Sequence, residues 1–172
     1  MDEKAQADLI RRLRETFAAI DTLVRDLDED ALLKRPGEGR WSVQEILGHL
    51  RDVERSRYRS RLKLLRTEKW PFFPKWDGVR AAERGGYQEL DSRELLESWR
   101  EIREETIAAI AATPAADWAR EGSHEVRGRE SFEDIVRSMA EHDVAHLGQI
   151  LRNLADLRAP RGDVRAPRGD VP

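Results

Sequence analysis

Two histidines four residues apart, inside one apolar helical stripe, constrain this chain more than anything else in its sequence. They lie in Glu141-His142-Asp143-Val144-Ala145-His146-Leu147-Gly148-Gln149. On a helix that spacing stacks both imidazoles on one face, one turn apart. Ile135 and Met139 precede them on that face, and Ile150 and Leu154 follow. The face points into a core, where an imidazole is costly unless it is hydrogen-bonded or bound to something.

A third histidine has the same setting on a different segment. Ser42-Val43-Gln44-Glu45 is a capping-box pattern, with Trp41 placed to staple against Ile46. The helix it opens carries Ile46, Leu50 and Val53 on one side, and His49 lies within that stripe. Tyr58, Leu62 and Leu65 continue the buried side. Arg51, Arg55, Arg57, Arg59, Arg61, Lys63 and Arg66 make the rest basic. Most such charge runs are solvated faces. Arg57 is the residue of this run placed to reach an anionic substrate near a site built on His49.

The remaining periodicity predicts an all-α protein, a four-helix bundle. A first helix over 4–27 buries Leu9, Ile10, Leu13, Phe17, Ile20, Leu23, Val24 and Leu27. The His49 helix is the second. A third, over about 92–112, is capped by Asp91 and buries Leu95, Leu96, Trp99, Ile102, Thr106, Ile107 and Ile110. The fourth starts near Ser131 and carries the histidine pair to about Leu157. Between helices two and three lies a long connector, 66–90, with Trp70, Phe72, Phe73, Trp76 and Tyr87. Connections of that length in a compact domain are uncommon and often functional. It can cross the length of a bundle, so helices two and three can be parallel neighbours. Its aromatics either cap one end of the bundle or wall a pocket. The polar stretch 119–130 reads as a loop, and His124 within it as a surface histidine. The domain is therefore expected over 1–157. The tail, 158–172, repeats Arg158–Val164 as Arg165–Val171 (RAPRGDV), and a Pro/Gly-rich duplication with so little apolar material predicts a disordered arm. The Arg-Gly-Asp it contains is read as a chance match.

Composition narrows the chemistry. The 172 residues include no cysteine, so a thiolate metal site or cysteine nucleophile is excluded, and any thiol must come from outside. A net charge of −3 does not argue for nucleic-acid binding. No signal peptide and no apolar run of membrane-spanning length is visible. A cytoplasmic protein is the expectation, with a small-molecule substrate and neither nucleic acid nor membrane as partner.

Three core-facing histidines, His49, His142 and His146, suffice to hold one divalent first-row metal ion, zinc or nickel being the first expectations. Three protein ligands leave positions open for water or substrate, the catalytic rather than the structural pattern. The competing reading is a set of core histidines satisfied by their neighbours. Position 143 is Asp, so the motif is not the His-Glu-x-x-His of a zincin. Neither a Gly-x-Ser-x-Gly elbow nor a phosphate-binding glycine loop occurs. Metal-bound histidines usually need a partner for the other ring nitrogen. Glu54 and Gln149 are the candidates, while Asp143 is expected to point away from His142, toward helix one or solvent.

Trp41-Ser42-Val43-Gln44-Glu45-Ile46-Leu47-Gly48-His49-Leu50 with Glu54 beyond it, Trp76-Asp77 in the connector, and Glu141–Ile150 together resemble the signature stretches of the DinB-like superfamily. The resemblance spans about residues 5–157. It implies a four-helix bundle, a divalent metal on three histidines carried over to His49, His142 and His146, and a homodimer. It also implies thiol-dependent transfer or isomerisation with low-molecular-weight thiols such as bacillithiol, mycothiol or glutathione. The leading expectation is a metal-dependent enzyme that transfers such a thiol to an electrophilic small molecule, with Glu54, Arg57 and Gln149 supporting the site. The alternatives are a metal-dependent hydrolase, with Glu54 as its base, and a non-catalytic metal-binding stress protein.

Overall fold

Residues 2–158 are described by the structure, a computed structural model. The duplicated tail, from 159 onward, lies outside the described residues. Four long helical segments form the bundle: α1 (Glu3–Val24), α3 (Val43–Val53) continued by α4 (Arg59–Thr67), α6 (Ser92–Ala111) and α7 (Phe132–Arg158). The short α2 (Glu29–Leu33) follows α1, and α5 (Gly78–Arg84) lies in the long connector. Helix starts follow local chemistry. Ser42 accepts from the Glu45 N–H while Glu45 accepts from the Ser42 N–H, closing the capping box that opens α3. Asp91 accepts from the N–H groups of Arg93 and Glu94 at the start of α6.

Packing runs around a square. α1 lies on α7 and α6, and α3 lies on the same two helices. The contacts fix directions. Gln44 meets Ser92, Glu54 meets Trp99 and Arg103, and Arg59 meets Glu105, so α3–α4 and α6 run parallel. Antiparallel packing of α3 on α7 follows from Arg40–Asn153 and Tyr58–Ser138. Parallel neighbours two and three require the long connector, because a tight turn joins only antiparallel helices.

The connector is more ordered than a loop. Its strand β1 (Phe72–Phe73) pairs in parallel with β2 (Glu121–His124), which forms a hairpin with β3 (Gly128–Ser131). The polar stretch 119–130 is thus a hairpin. Its turn needs the left-handed backbone of Gly128, φ +76°. Alternation is nearly absent in that sequence. The strands are held instead by pairing with β1 and by the Phe73 ring packed onto Gly122, where a Cβ would stand 2.7 Å from it. Tyr87 anchors the other end of the connector. Its ring lies between Gly48 and Gly85, and its hydroxyl donates to Asp52 at 2.9 Å.

Two apolar clusters fill the bundle. One joins Leu9, Leu13, Tyr58, Leu62, Ile107 and Met139, and the other Phe17, Ile20, Ile46, Leu50, Trp99 and Ile150. Three charged residues, Glu54, Arg103 and Asp143, are buried along with these apolar side chains. Among the described residues no helix is long and apolar enough to cross a membrane.

Candidate metal centre

His49 reaches the bundle interior from α3, and His142 and His146 reach it from successive turns of α7. One nitrogen from each ring lies within 4.8 Å of the others. Nε2 of His49 and Nε2 of His142 are 3.2 Å apart. Two imidazole nitrogens on a tetrahedral ion at ordinary Zn–N lengths would be separated by about 3.3 Å. His49 is 8% exposed, and the other two are partly buried.

Local helix structure produces this convergence. The i, i+4 spacing on α7 stacks two rings, whose centroids are 4.5 Å apart. After Val53 the second helix widens into one π-helical turn, Glu54–Tyr58. The extra residue shifts the inward face by one position. Glu54 and Tyr58 are therefore both buried, and the Tyr58 ring meets His142 edge-on at 5.8 Å. Its hydroxyl donates to the Ser138 carbonyl at 3.2 Å.

The electrostatics suit a cation. Burial, reinforced by repulsion from His146 and His142, pushes the His49 pKa down to about 3. Burial and His142 push His146 down to about 4. Both rings are neutral at pH 7, as ligands must be. Gln149 Oε1 lies 2.9 Å from His146 Nδ1. An amide oxygen accepts, so Nδ1 carries the proton and Nε2 keeps its lone pair. Nδ1 of His49 and Nδ1 of His142 are buried without a hydrogen-bond partner. In a protein-only arrangement one ring donates to the other through Nε2, which leaves an unpaired acceptor and an unpaired donor behind. A cation held by His49, His142 and His146 would remove that mismatch between the first two rings. A His142 ring that kept its proton on Nδ1 would face Asp143 Oδ1, 3.8 Å away. The donor set fits a divalent ion.

Beneath the histidines lies a buried charge network. Arg103 on α6 contacts Glu54 Oε2 through Nε at 3.0 Å and Nη2 at 2.8 Å, and Asp143 Oδ2 through Nη1 at 2.7 Å. Its Nη1 also donates to the Leu13 carbonyl at 3.3 Å, and Trp99 Nε1 donates to Glu54 Oε2 at 2.9 Å. All three ions are at most 3% exposed. Burial outweighs Arg103 at Glu54, whose pKa is raised. At Asp143 the attractions of Arg103 and His142 prevail over burial, and its pKa is lowered.

The residues singled out in the sequence thus divide. Gln149 touches His146. Glu54 is engaged by Arg103 and Trp99 and, among the described residues, makes no hydrogen bond to a histidine. Asp143 does not point away from His142 toward helix one or solvent: it is buried, paired with Arg103 of α6, and its Oδ1 lies 3.8 Å from His142 Nδ1. Arg57 packs its guanidinium over the Tyr58 ring at 4.6 Å, one ring removed from His142. His124 is not a surface residue. It is 5% exposed, and its Nδ1 accepts from the Val126 and Arg127 N–H groups. Sequence reasoning missed Arg103, although Trp99, Arg103, Thr106 and Ile110 follow helical spacing. Among the connector aromatics, Phe73 is core, Trp70 and Phe72 are exposed, and Trp76 stands beside the histidines. Trp41 and Trp76 flank His49, with ring centroids 4.9 and 6.1 Å from it, and Trp41 lies parallel to His146.

The family profile of the DinB superfamily matches residues 12–150. This chain belongs to the DinB superfamily. No functionally curated protein matches it. Among solved structures, YfiT from Bacillus subtilis has a TM-score of 0.82 at 20% identity, covering 91% of this chain and 90% of YfiT. It is described as "a probable metal-dependent hydrolase with an unusual four-helix bundle topology". TT2238, described as a four-helix bundle protein, matches with a TM-score of 0.64 at 22% identity, over 86% of this chain and 98% of the other. At these identities the likeness establishes the fold. The four-helix bundle expected from the sequence is the architecture of this DinB-superfamily member.

Proposed function

We propose that the chain is a divalent-metal-dependent enzyme that transfers a low-molecular-weight thiol to an electrophilic small molecule. The observation that carries this reading is the convergence of three imidazoles in the bundle interior beside two tryptophans, two of them, His49 and His146, held neutral by burial, with Gln149 as the one non-histidine side chain hydrogen-bonded to their nitrogens among the described residues. His49, His142 and His146 would hold the divalent ion, zinc or nickel, which when bound would supply Lewis acidity for activating a thiol. Gln149 fixes the His146 tautomer. The Arg103 network holds α3, α6 and α7 in register, so the three rings keep their separation. Trp41 and Trp76 exclude water from one side of the rings, and Arg57 attracts the anionic thiol. The reading includes a small-molecule substrate, no nucleic-acid or membrane partner, and a homodimer, which sedimentation velocity tests.

A second reading is hydrolysis, favoured by the description of YfiT. It needs a general base beside the attacking water. Glu54 and Asp143 are both engaged by Arg103, which argues against either in that role. Thiol transfer needs no such carboxylate.

Elemental analysis of untagged wild type and His142→Ala tests the metal. About one divalent ion per chain in the wild type, absent from the variant, is the expected result. No metal in the wild type after incubation with zinc or nickel overturns the reading. With metal present, loss of free glutathione, bacillithiol or mycothiol in the presence of an electrophile, against ester hydrolysis without thiol, separates transfer from hydrolysis.

A further inference from the structure

Trp76 has a second side. With Arg57, Arg61, Lys75, His124 and Arg127 it lines a cavity of about 220 Å³, open to solvent between the connector and the hairpin. For scale, a cavity of about 150 Å³ holds benzene. Four of these side chains are cationic. Among the described residues, the carboxylate paired with these side chains is Glu130, shared by Arg61 and Arg127, and a second carboxylate, the exposed Glu125, accepts from the Lys75 backbone N–H at 2.7 Å, so two carboxylates face four cations. Neither Arg57 nor Lys75 has an ion-pair partner among the described residues. Positive charge therefore exceeds negative charge at a half-enclosed site, the arrangement that concentrates anions.

His124 supplies a neutral donor to the same space. Its Nδ1 accepts two backbone N–H groups, so the ring proton resides on Nε2. Nε2 has no protein partner among the described residues, and the ring is nearly buried. Burial and the nearby Arg127 and Arg61 lower the His124 pKa and keep it neutral. Arg61 feels the same crowding. Burial and the neighbouring Arg57 push it down to about 10, although Glu130 opposes the shift. An incoming anion relieves that repulsion.

The cavity adjoins the histidines. Trp76 is the common wall, its ring 6.1 Å from that of His49. Arg57 lies over the Tyr58 ring, which also meets the His142 ring edge-on. We infer that this cavity binds an oxyanion, a carboxylate or phosphate, carried by a small substrate whose reacting atom lies at the three histidines. The ligands are Arg57, Lys75, Arg127 and the His124 Nε2–H, with Trp76 packing against the substrate between the two subsites. The link to a reacting atom rests on the proposed function. The anion site does not, because its groups are independent of the metal.

The test is titration calorimetry of the metal-free full-length chain with inorganic phosphate and, separately, acetate. One anion should saturate a single site in the millimolar range and shift the His124 side-chain nitrogen resonances. Which anion binds tells phosphate-bearing from carboxylate-bearing substrates. Arg57→Ala/Lys75→Ala should weaken binding about tenfold or more, the value of a lost charge-assisted contact. Lys34→Ala, remote and exposed, should not, and His142→Ala should bind as the wild type does. Circular dichroism checks that each variant is folded. No saturable binding of either anion, or equal weakening by Lys34→Ala, overturns the inference. Anion binding in a protein that takes up no metal leaves the cavity and removes the metal reading. Metal uptake without anion binding does the reverse.

Discussion

Arg103 on α6 meets Asp143 on α7 with Nη1 2.7 Å from Oδ2, and Asp143 is the immediate neighbour of His142. The same guanidinium holds Glu54, five residues beyond His49. One buried arginine therefore ties together the two backbone segments that carry the histidines. Positioning of the candidate metal ligands depends on a residue that touches none of them.

Arg103→Met removes the shared cation and leaves two carboxylates buried without a partner. Breaking a buried ion pair from one side costs about 3–5 kcal/mol. Urea denaturation of the metal-free chain should show a loss of that size. Arg103→Lys should recover only part of it, because one ammonium cannot span both carboxylates as the planar fork does. A loss under about 1 kcal/mol, the range of surface pairs, would mean the network is not the element that holds these helices.

Gln149→Ala should act on the metal and spare the fold. The side chain is partly exposed and its contact is His146 Nδ1 at 2.9 Å. Without the acceptor, the tautomer with its proton on Nε2 becomes accessible. Loss of such a partner typically weakens metal affinity by about 10–100-fold. Competition with a chromogenic chelator measures it, and the urea midpoint of the metal-free protein should move little. Unchanged affinity would remove Gln149 from the site.

Much of this site is legible in the sequence because each histidine interrupts an apolar stripe at helical spacing, and such interruptions are visible without coordinates. Arg103 follows Trp99 by four residues and precedes Thr106 by three, and Asp143 follows Met139 by four and precedes His146 by three. Their charge argues for the polar face, although periodicity places both inside. The π-helical turn at Glu54–Tyr58 has no such signal. No proline or glycine marks it, and it is stabilised by what Glu54 and Tyr58 meet on α6 and α7. The 119–130 hairpin is hidden for a related reason. Burial alternates along β2, but the buried positions are Gly122 and His124 rather than apolar side chains, so the sequence shows no apolar–polar alternation.

Acid should destabilise the metal-free protein before the carboxylate range is reached. His49 and His146 have pKa values of about 3 and about 4 in the fold, against about 6.5 unfolded. Below about pH 6.5 the unfolded chain binds protons that the folded chain refuses, so stability falls as pH falls, continuing toward about pH 4. Glu54, raised by burial, works in the opposite sense. Urea midpoints at about pH 7, 6 and 5 in chelator measure the slope. The difference between wild type and His146→Gln isolates the histidine, since Glu54 is common to both. Equal slopes in the two proteins would contradict a neutral, buried His146.

Gly48→Ala tests whether the connector is seated on α3. Alanine favours a helix over glycine by about 1 kcal/mol, so an open site would be stabilised. At Gly48 the added Cβ would stand inside the van der Waals envelope of the Tyr87 ring. That ring is confined by Gly85 on its other side and by its hydrogen bond to Asp52. Overpacking of this kind costs about 1–3 kcal/mol, which equals or exceeds the propensity gain. The variant should be no more stable than the wild type. It should also loosen the connector that carries Trp76, and amide exchange across 76–90 should accelerate more than across α1. Tyr87→Ala in the same chain should restore the helix-propensity gain of Gly48→Ala, because the Cγ, Cδ1 and Cε1 atoms that the new Cβ would meet are then gone.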